Sequence, residues 1–124
     1  MIKSIGTDIV DINRFRKLVE RWGKKFSGRI LTQREIEICE KKGDPIASMA
    51  ARFAAKEAMI KCLPTTKGLV WRWHEMEVLS HGDEKPFVKM NGKIGAFVNN
   101  DKIHISLSHS QNSAIALILL ESEQ

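Results

Sequence analysis

The chain has 124 residues, a formal net charge of +5 at pH 7 and a hydrophobic fraction of 43%. This length and composition predict one folded domain spanning residues 1–124 and exclude a disordered chain. The excess of basic residues favours an anionic partner, whether nucleic acid, a phosphate-rich small molecule, an acidic protein or an acidic membrane surface.

The cysteines and the apolar runs exclude further classes of protein. Cys39 and Cys62 have no CxxC spacing, so we expect two buried free thiols rather than a disulfide framework or a structural zinc site. No apolar run reaches 18 residues, and the N-terminus lacks an apolar signal-peptide core. We therefore expect a cytoplasmic protein that does not bind a membrane.

The first half of the chain predicts one strand followed by three helices. β-branched residues around Gly6 predict the strand, which we expect to stop near Asp8. Asp11, the capping box at 32–35 and the Asp44-Pro45 pair are each typical of a helix start. The three helices are predicted over residues 12–22, 33–42 and 45–63.

The second half of the chain changes to extended patterns. Alternating or continuous apolar residues predict strands at 71–78, 86–90, 103–107 and 113–121, with a short helical turn at 94–98. One strand, three helices and then several strands predict an α+β fold with an antiparallel sheet.

The long predicted helix carries the first candidate site. Glu57 and Lys61 lie four residues apart, and Phe53 lies four residues before Glu57, so all three share one helix face. An ordinary surface ion pair would explain this spacing. Alternatively, the many alanines around the pair let the helix pack closely, and the pair could lie in a crevice that holds a metal and a phosphate.

Two further candidates follow predicted strands. Asp8 comes after Gly6-Thr7, and Mg²⁺ is usually held by one or two such carboxylates together with substrate phosphates and water. His109 is bracketed by Ser108 and Ser110, and an imidazole there can bind phosphate or act as a base near neutral pH. A turn or capping role for Asp8 and a solvated turn for His109 explain the same residues.

Three segments in register resemble the 4′-phosphopantetheinyl transferases. The middle segment resembles the family pattern (F/W)xxKExxxK, which fixes four positions on one helix. The short chain is similar to the small single-domain branch, the holo-[acyl-carrier-protein] synthases. The chain departs from the family at 63–68, where a Gly-Thr-Gly-like loop is usual. The three segments are Gly6-Thr7-Asp8, Phe53 to Lys61, and Ser106-Leu107-Ser108-His109-Ser110.

This resemblance implies the family fold and a reaction. The 4′-phosphopantetheine group of coenzyme A would move to a serine of apo acyl carrier protein, leaving adenosine 3′,5′-bisphosphate. Asp8 and Glu57 would hold Mg²⁺, Lys61 would contact a phosphate oxygen, and water, Asp8 or Glu57 would each be a candidate base. The residues implied to bind the phosphates of coenzyme A are Arg52, Lys61, Ser108, His109 and Ser110.

The resemblance also implies protein partners. The first helix would dock the acidic recognition helix of acyl carrier protein, although a solvated basic face explains the same pattern. The small branch forms homotrimers with active sites between subunits, which would suit the apolar strands between residues 103 and 120. The implied docking residues are Arg14, Lys17, Leu18 and Arg21.

Two other functions remain as alternatives. A nucleic-acid-binding module would explain the net charge, but it calls for aromatic residues interleaved with basic ones. Phe15 and Trp22 instead fall on the apolar face of the first helix, so we expect no nucleic-acid partner. A metal-dependent phosphohydrolase would share Asp8 and Glu57 but would not need a basic docking helix.

Overall fold

The computed structural model describes residues 1–82 and 84–123 and confirms the α+β class. A short 3₁₀ turn, Trp73–Glu75, precedes β2. The elements are β1 (Ile2–Asp11), α1 (Ile12–Trp22), α2 (Lys24–Ile30), α3 (Gln33–Glu40), α4 (Pro45–Cys62), β2 (Met76–Leu79), β3 (Phe87–Met90), α5 (Gly92–Val98), β4 (Lys102–His109) and β5 (Ser113–Glu121).

Antiparallel pairing organises both sheets. The larger sheet has the order β1-β5-β4, and β2 pairs with β3 in a separate two-stranded sheet. In the larger sheet Asp8 lies opposite Ala116, and His109 lies opposite Ala114. Because side chains alternate along a strand, β5 sends Ala114, Ala116, Ile118 and Leu120 into the core, and the residues between them point to the outer face.

Helix α4 crosses the inner face of the larger sheet and divides the core in two. Its contact with the sheet is made by small residues, including Ala54, Ala55 and Ala58, which are all buried. One apolar cluster lies on the side of β2 and α5, and the other lies among α1, α2 and α3. Cys39 and Cys62 are buried free thiols, as predicted, and burial raises the pKa of both.

The three predicted helix starts are confirmed by their hydrogen bonds. The Asp11 carboxylate accepts from the Arg14 backbone N–H at 3.1 Å, and Asp44 accepts from the Ala47 N–H at 3.2 Å. Thr32 and Glu35 form the reciprocal capping box. Each cap satisfies an N–H group that the helix itself leaves unpaired.

One predicted boundary at the start of the chain is wrong, and one helix there has no counterpart among the predicted elements. Strand β1 does not stop near Asp8 but stays paired with β5 as far as Asp11. Helix α2 was not predicted, because Gly23 ends α1 and the next seven residues lack a clear apolar period. Tertiary burial forms this helix instead, since the ring of Phe26 packs edge-on against Phe15 at 5.2 Å.

The predicted strand over 71–78 is also partly wrong, since only its end is extended. Residues Trp73–Glu75 form the 3₁₀ turn, and β2 starts at Met76. The Glu75 carboxylate accepts from the backbone N–H groups of Arg72 at 3.0 Å and Ile94 at 2.9 Å. These bonds stabilise a turn where the alternating pattern predicted a strand.

Within the described residues, no helix is both long enough and apolar enough to span a membrane.

A buried ion pair joins the elements behind α4. The side chains of Lys56 and Glu35 are fully buried, and Lys56 Nζ lies 2.6 Å from Glu35 Oε1. Lys56 also donates to Ile30 O at 2.7 Å, at the end of α2. The Glu35 carboxylate accepts from the backbone N–H groups of Thr32 and Val78. Burial lowers the pKa of Lys56, and the charge of Glu35 opposes that shift.

Replacing one member of this pair should cost more stability than replacing both. Lys56→Met leaves a buried carboxylate without its cation, so we expect a loss of about 3–5 kcal/mol in the free energy of unfolding. Adding Glu35→Gln removes the buried charge and should recover part of that loss. Urea denaturation of the two variants measures this difference. A double variant at least as unstable as Lys56→Met would contradict the expectation.

Candidate active site

Strand β1 and helix α4 bring two of the predicted residues into direct contact. Lys61 Nζ lies 2.8 Å from Asp8 Oδ1 and donates a second hydrogen bond to Thr7 O at 3.1 Å. Asp8 is therefore neither a turn residue nor a cap. The ion pair of Lys61 is with Asp8, rather than with Glu57 on its own helix. Hydrogen bonding to Asp8 raises the pKa of Lys61, which keeps the ammonium charged.

Glu57 completes a cluster of three charged groups. Its side chain is half-buried, and burial together with the negative charge of Asp8 raises the pKa of its carboxyl. The charge of Lys61 opposes that shift. Two carboxylates that repel each other and share one ammonium form a site that a further cation would stabilise.

The donor set of this cluster fits Mg²⁺. Two carboxylates are a usual protein contribution to an Mg²⁺ site when substrate phosphates and water supply the other ligands. In the part of the chain that the structure describes, no group of three or more His, Cys, Asp or Glu side chains gathers at one point. Asp8 and Glu57 therefore suit an ion that the substrate completes, not one enclosed by protein alone.

The two carboxylates lie beside a largely apolar cavity of about 610 Å³. Helix α1 lines it with Arg14 and Leu18, two of the predicted docking residues. Because α1 also forms part of the protein surface, the carboxylates and the basic helix share one opening. The apolar walls come from Ile9, Val10, Phe15, Leu18, Phe26 and Phe53.

A second cavity of about 460 Å³ collects another pair of predicted residues, Arg52 and His109. Only 4% of Arg52 is exposed, because its Nε donates to Val78 O at 3.1 Å and its Nη1 donates to Ser48 Oγ at 2.7 Å. Lys42 also lines this cavity, although no sequence motif predicts it. It lies in a turn with no motif around it, so only tertiary packing could have identified it.

The two candidate serines beside His109 line neither of these cavities. Ser108 lies opposite Ile115 in the sheet and is exposed, and alternation along β4 puts it on the face away from His109. Ser110 Oγ accepts from the Ser113 N–H at 3.3 Å and so supports the turn between β4 and β5. Their contact with coenzyme A stays a prediction.

The two cavities open on different sides of α4. Arg52 and Glu57 are five residues apart, which corresponds to a rotation of about 140° and a rise of about 7.5 Å along an α-helix. The carboxylate cluster and the Arg52–His109 pair are thus separated within one chain.

The exposed surface beside the first cavity is basic and partly aromatic. Lys17 and Arg21 are exposed on α1, and the Arg21 guanidinium lies 5.2 Å from the centre of the Trp22 ring. Trp22 is 50% exposed, so its predicted place on a buried face is wrong. A further cavity of about 360 Å³ continues this surface onto α2. It is lined by Leu18, Trp22, Lys25, Phe26 and Arg29.

Comparison with known proteins identifies the family. Residues 4–119 match the model of the 4′-phosphopantetheinyl transferase superfamily. The chain belongs to this superfamily. Among related transferases, the holo-[acyl-carrier-protein] synthase of Chlorobium luteolum is 45% identical over 113 residues, which cover 91% of this chain and 94% of that protein.

Solved structures of such transferases have the same fold. The holo-(acyl-carrier-protein) synthase of Bacillus anthracis, in complex with CoA (3′,5′-ADP), matches with a TM-score of 0.80 and 34% identity, covering 99% of each chain. The holo-[acyl-carrier-protein] synthase of Helicobacter pylori, in complex with coenzyme A, matches with a TM-score of 0.81 and 31% identity, covering 94% of this chain and 99% of that one.

In this transferase, Asp8→Asn should lower the pKa of Lys61, because the hydrogen bond from Lys61 to the Asp8 carboxylate is the main cause of its raised value. Glu57→Gln should lower it less, since the charge of Glu57 contributes least. A pH titration of the Lys61 Cε resonance by NMR measures both shifts. An unchanged pKa in Asp8→Asn would show that the ion pair does not form in solution.

Proposed function

We propose that this chain transfers the 4′-phosphopantetheine group from coenzyme A to a serine hydroxyl of apo acyl carrier protein. One observation carries the proposal: Asp8 and Glu57 lie in the same cavity as Arg14 and Leu18 of a basic surface helix. A phosphate-rich donor and an acidic acceptor protein could therefore meet at one opening. The activity named for the relatives above supports the same reaction.

The reaction exchanges one phosphorus–oxygen bond for another. The serine oxygen bonds to the phosphorus that carries the pantetheine arm, and the bond from that phosphorus to the bridging oxygen of the diphosphate breaks. The serine proton passes to a base, and adenosine 3′,5′-bisphosphate leaves. Phosphoryl-type transfer depends mainly on positioning and charge neutralisation, and charged side chains at the opening provide both.

The charged cluster has a distinct role for each member. Asp8 and Glu57 would hold Mg²⁺, which when bound neutralises charge on the diphosphate. Lys61 carries an ammonium group beside Asp8, and it can donate to a phosphate oxygen once it turns from Asp8. Such fixed charges stabilise the negative charge that develops on the leaving oxygen.

We also propose that Arg52 and His109 bind the remaining phosphate of coenzyme A, together with Lys42. These three residues share a cavity that contains no large apolar side chain except Leu107. Because this cavity and the carboxylate cluster lie on different sides of α4, a complete site calls for two subunits.

The outer face of the larger sheet supports a homotrimer as the assembly. Ile5 and Ile9 on β1 are 58% and 64% exposed, and Ile115 and Leu117 of β5 lie beside them. A contiguous apolar face of this kind is typical of a protein–protein contact. The number of subunits, three, is taken from the resemblance to the small single-domain branch of the family. In such an assembly the Arg52–His109 cavity of one subunit would complete the carboxylate cluster of its neighbour.

The two alternative functions each explain only part of the site. A phosphohydrolase accounts for the carboxylates, and a nucleic-acid-binding module accounts for the basic helix. Neither accounts for a cavity that joins the two, with Glu57 and Arg14 among its lining residues.

Incubation with apo acyl carrier protein, coenzyme A and Mg²⁺ tests the reaction. We expect intact-mass analysis to show an added phosphopantetheine on the carrier. Glu57→Gln should lose at least about 100-fold in rate while keeping its fold, because one of two metal carboxylates is gone. No mass increase on any carrier with the wild-type chain would refute the function, and full activity in Glu57→Gln would remove Glu57 from the metal site.

The docking surface is tested by reversing one charge. Arg14→Glu should raise the KM for carrier protein at least about tenfold and leave the KM for coenzyme A nearly unchanged, because rim charges act on encounter with an acidic partner. Steady-state kinetics with each substrate varied in turn measure both constants. Lys85→Glu, a change of charge at an exposed residue outside the proposed sites, is the matched control. Equal effects on both constants would contradict the docking role.

The assembly is tested on the outer face of the sheet. Leu117→Lys should convert the trimer to monomers, because it places a charge in the proposed contact. It should also lower the transfer rate if two subunits complete each site. Light scattering coupled to gel filtration measures the mass. Val70→Lys makes the same change at another exposed apolar residue and should leave the trimer intact. A wild-type chain that is monomeric would contradict the assembly.

A further inference from the structure

Gly6 belongs to the first of the three recognised segments, but the proposed mechanism gives it no role. It lies in the middle of β1 and is buried against α4. Residues 6 and 8 point to the same side of the strand, so Gly6 and Asp8 both face the helix. Whatever occupies position 6 therefore affects how close Asp8 comes to α4.

The contact between the two backbones has no room for a side chain. A Cβ atom on Gly6 would lie 2.1 Å from Ala58 O and 2.8 Å from Cys62 Sγ. An ordinary contact needs at least 3.4 Å, so any other residue would push β1 and α4 apart by roughly 1 Å. The closer of the two obstacles is a backbone oxygen, which a change of rotamer cannot move.

Hydrogen bonds on both sides of Gly6 depend on this close approach. Two residues before it, Ser4 Oγ donates to Cys62 O at 2.8 Å. Two residues after it, Asp8 accepts from Lys61. Ala58 and Cys62 directly follow Glu57 and Lys61 in the chain, so the obstacle to a side chain lies on the same helical turn as the charged cluster.

We infer that Gly6 is a positioning residue that sets the separation between Asp8 on β1 and Glu57 and Lys61 on α4. This inference rests on the proposed metal site. A residue with a side chain at position 6 would separate the two carboxylates and weaken their joint hold on a divalent cation. A misplacement of about 1 Å can cost on the order of 100-fold in rate.

The test measures metal affinity without turnover. Mn²⁺ is titrated into protein with coenzyme A and no carrier, and the free ion is followed by electron paramagnetic resonance. Gly6→Ala should weaken Mn²⁺ binding at least about tenfold. In the transfer assay it should raise the Mg²⁺ concentration for half activity similarly and leave the KM for carrier protein within about twofold. Gly28→Ala, where a Cβ meets nothing within 4 Å, is the matched control.

A second variant decides the matter if Gly6→Ala does not fold. Cys62→Leu keeps Gly6 but adds bulk at the same contact, so it should also push β1 and α4 apart. It should weaken Mn²⁺ binding in the same direction by a smaller factor. Cys62→Ala, which removes the thiol without adding bulk, should bind Mn²⁺ like the wild type.

The outcomes separate this inference from the proposed function. A folded Gly6→Ala with wild-type Mn²⁺ affinity would overturn the positioning role, and so would a folded Cys62→Leu with wild-type affinity when Gly6→Ala is unfolded. Metal binding that is equally weak in Gly28→Ala would also overturn it. If the wild-type chain binds Mn²⁺ but transfers nothing, the proposed reaction is wrong. The Mn²⁺ titration still tests the positioning role of Gly6 in that case.

Discussion

Helix α4 packs against the larger sheet at backbone distance, and the candidate site depends on that packing. The contact is made by alanines on the helix and by Gly6 on the strand. Because no large side chain separates the two elements, Asp8 on β1 reaches Lys61 on α4 at 2.8 Å. Larger hydrophobic residues between the helix and the sheet could also form a stable core, because hydrophobic side chains of suitable total volume pack in many arrangements. It would not bring these charged groups together.

The four positions of the long-helix pattern have different roles because a helix turns about 100° per residue. Phe53 and Glu57 line the first cavity, and Lys61 donates to Asp8, which also lines it. Lys56 directly precedes Glu57, so its side chain is turned about 100° from that of Glu57 and pairs with Glu35 inside the core. Hydrogen bonds from that buried pair hold α2 and β2 against α4. Phe26 of α2 in turn lines the first cavity. The pattern thus combines candidate site residues and a structural residue on one helix.

The single chain presents two separate sets of phosphate-binding candidates, and this separation favours a site shared between subunits. Arg52 and Glu57 lie on different sides of α4, whereas one coenzyme A molecule carries both a diphosphate and a further phosphate. The exposed isoleucines Ile5 and Ile9 lie on the strand that also carries Asp8. An assembly through that face would therefore form next to the charged cluster. The chain is large enough for its own core, yet its arrangement suits a shared site.

The sequence by itself determined the α+β class, three helix starts and the family, because caps, periodicity and a spaced helix pattern are local signals. It also predicted Asp8, Glu57 and Lys61 as candidate site residues, but it could not show that Lys61 pairs with Asp8 rather than with Glu57. Helix α2 and the position of Lys42 were missed, since neither has a local signal. Only the tertiary structure decided which face each strand residue occupies, how closely β1 approaches α4 and which cavities the charges share. These properties arise from packing between segments far apart in the chain, and no local pattern records such distances.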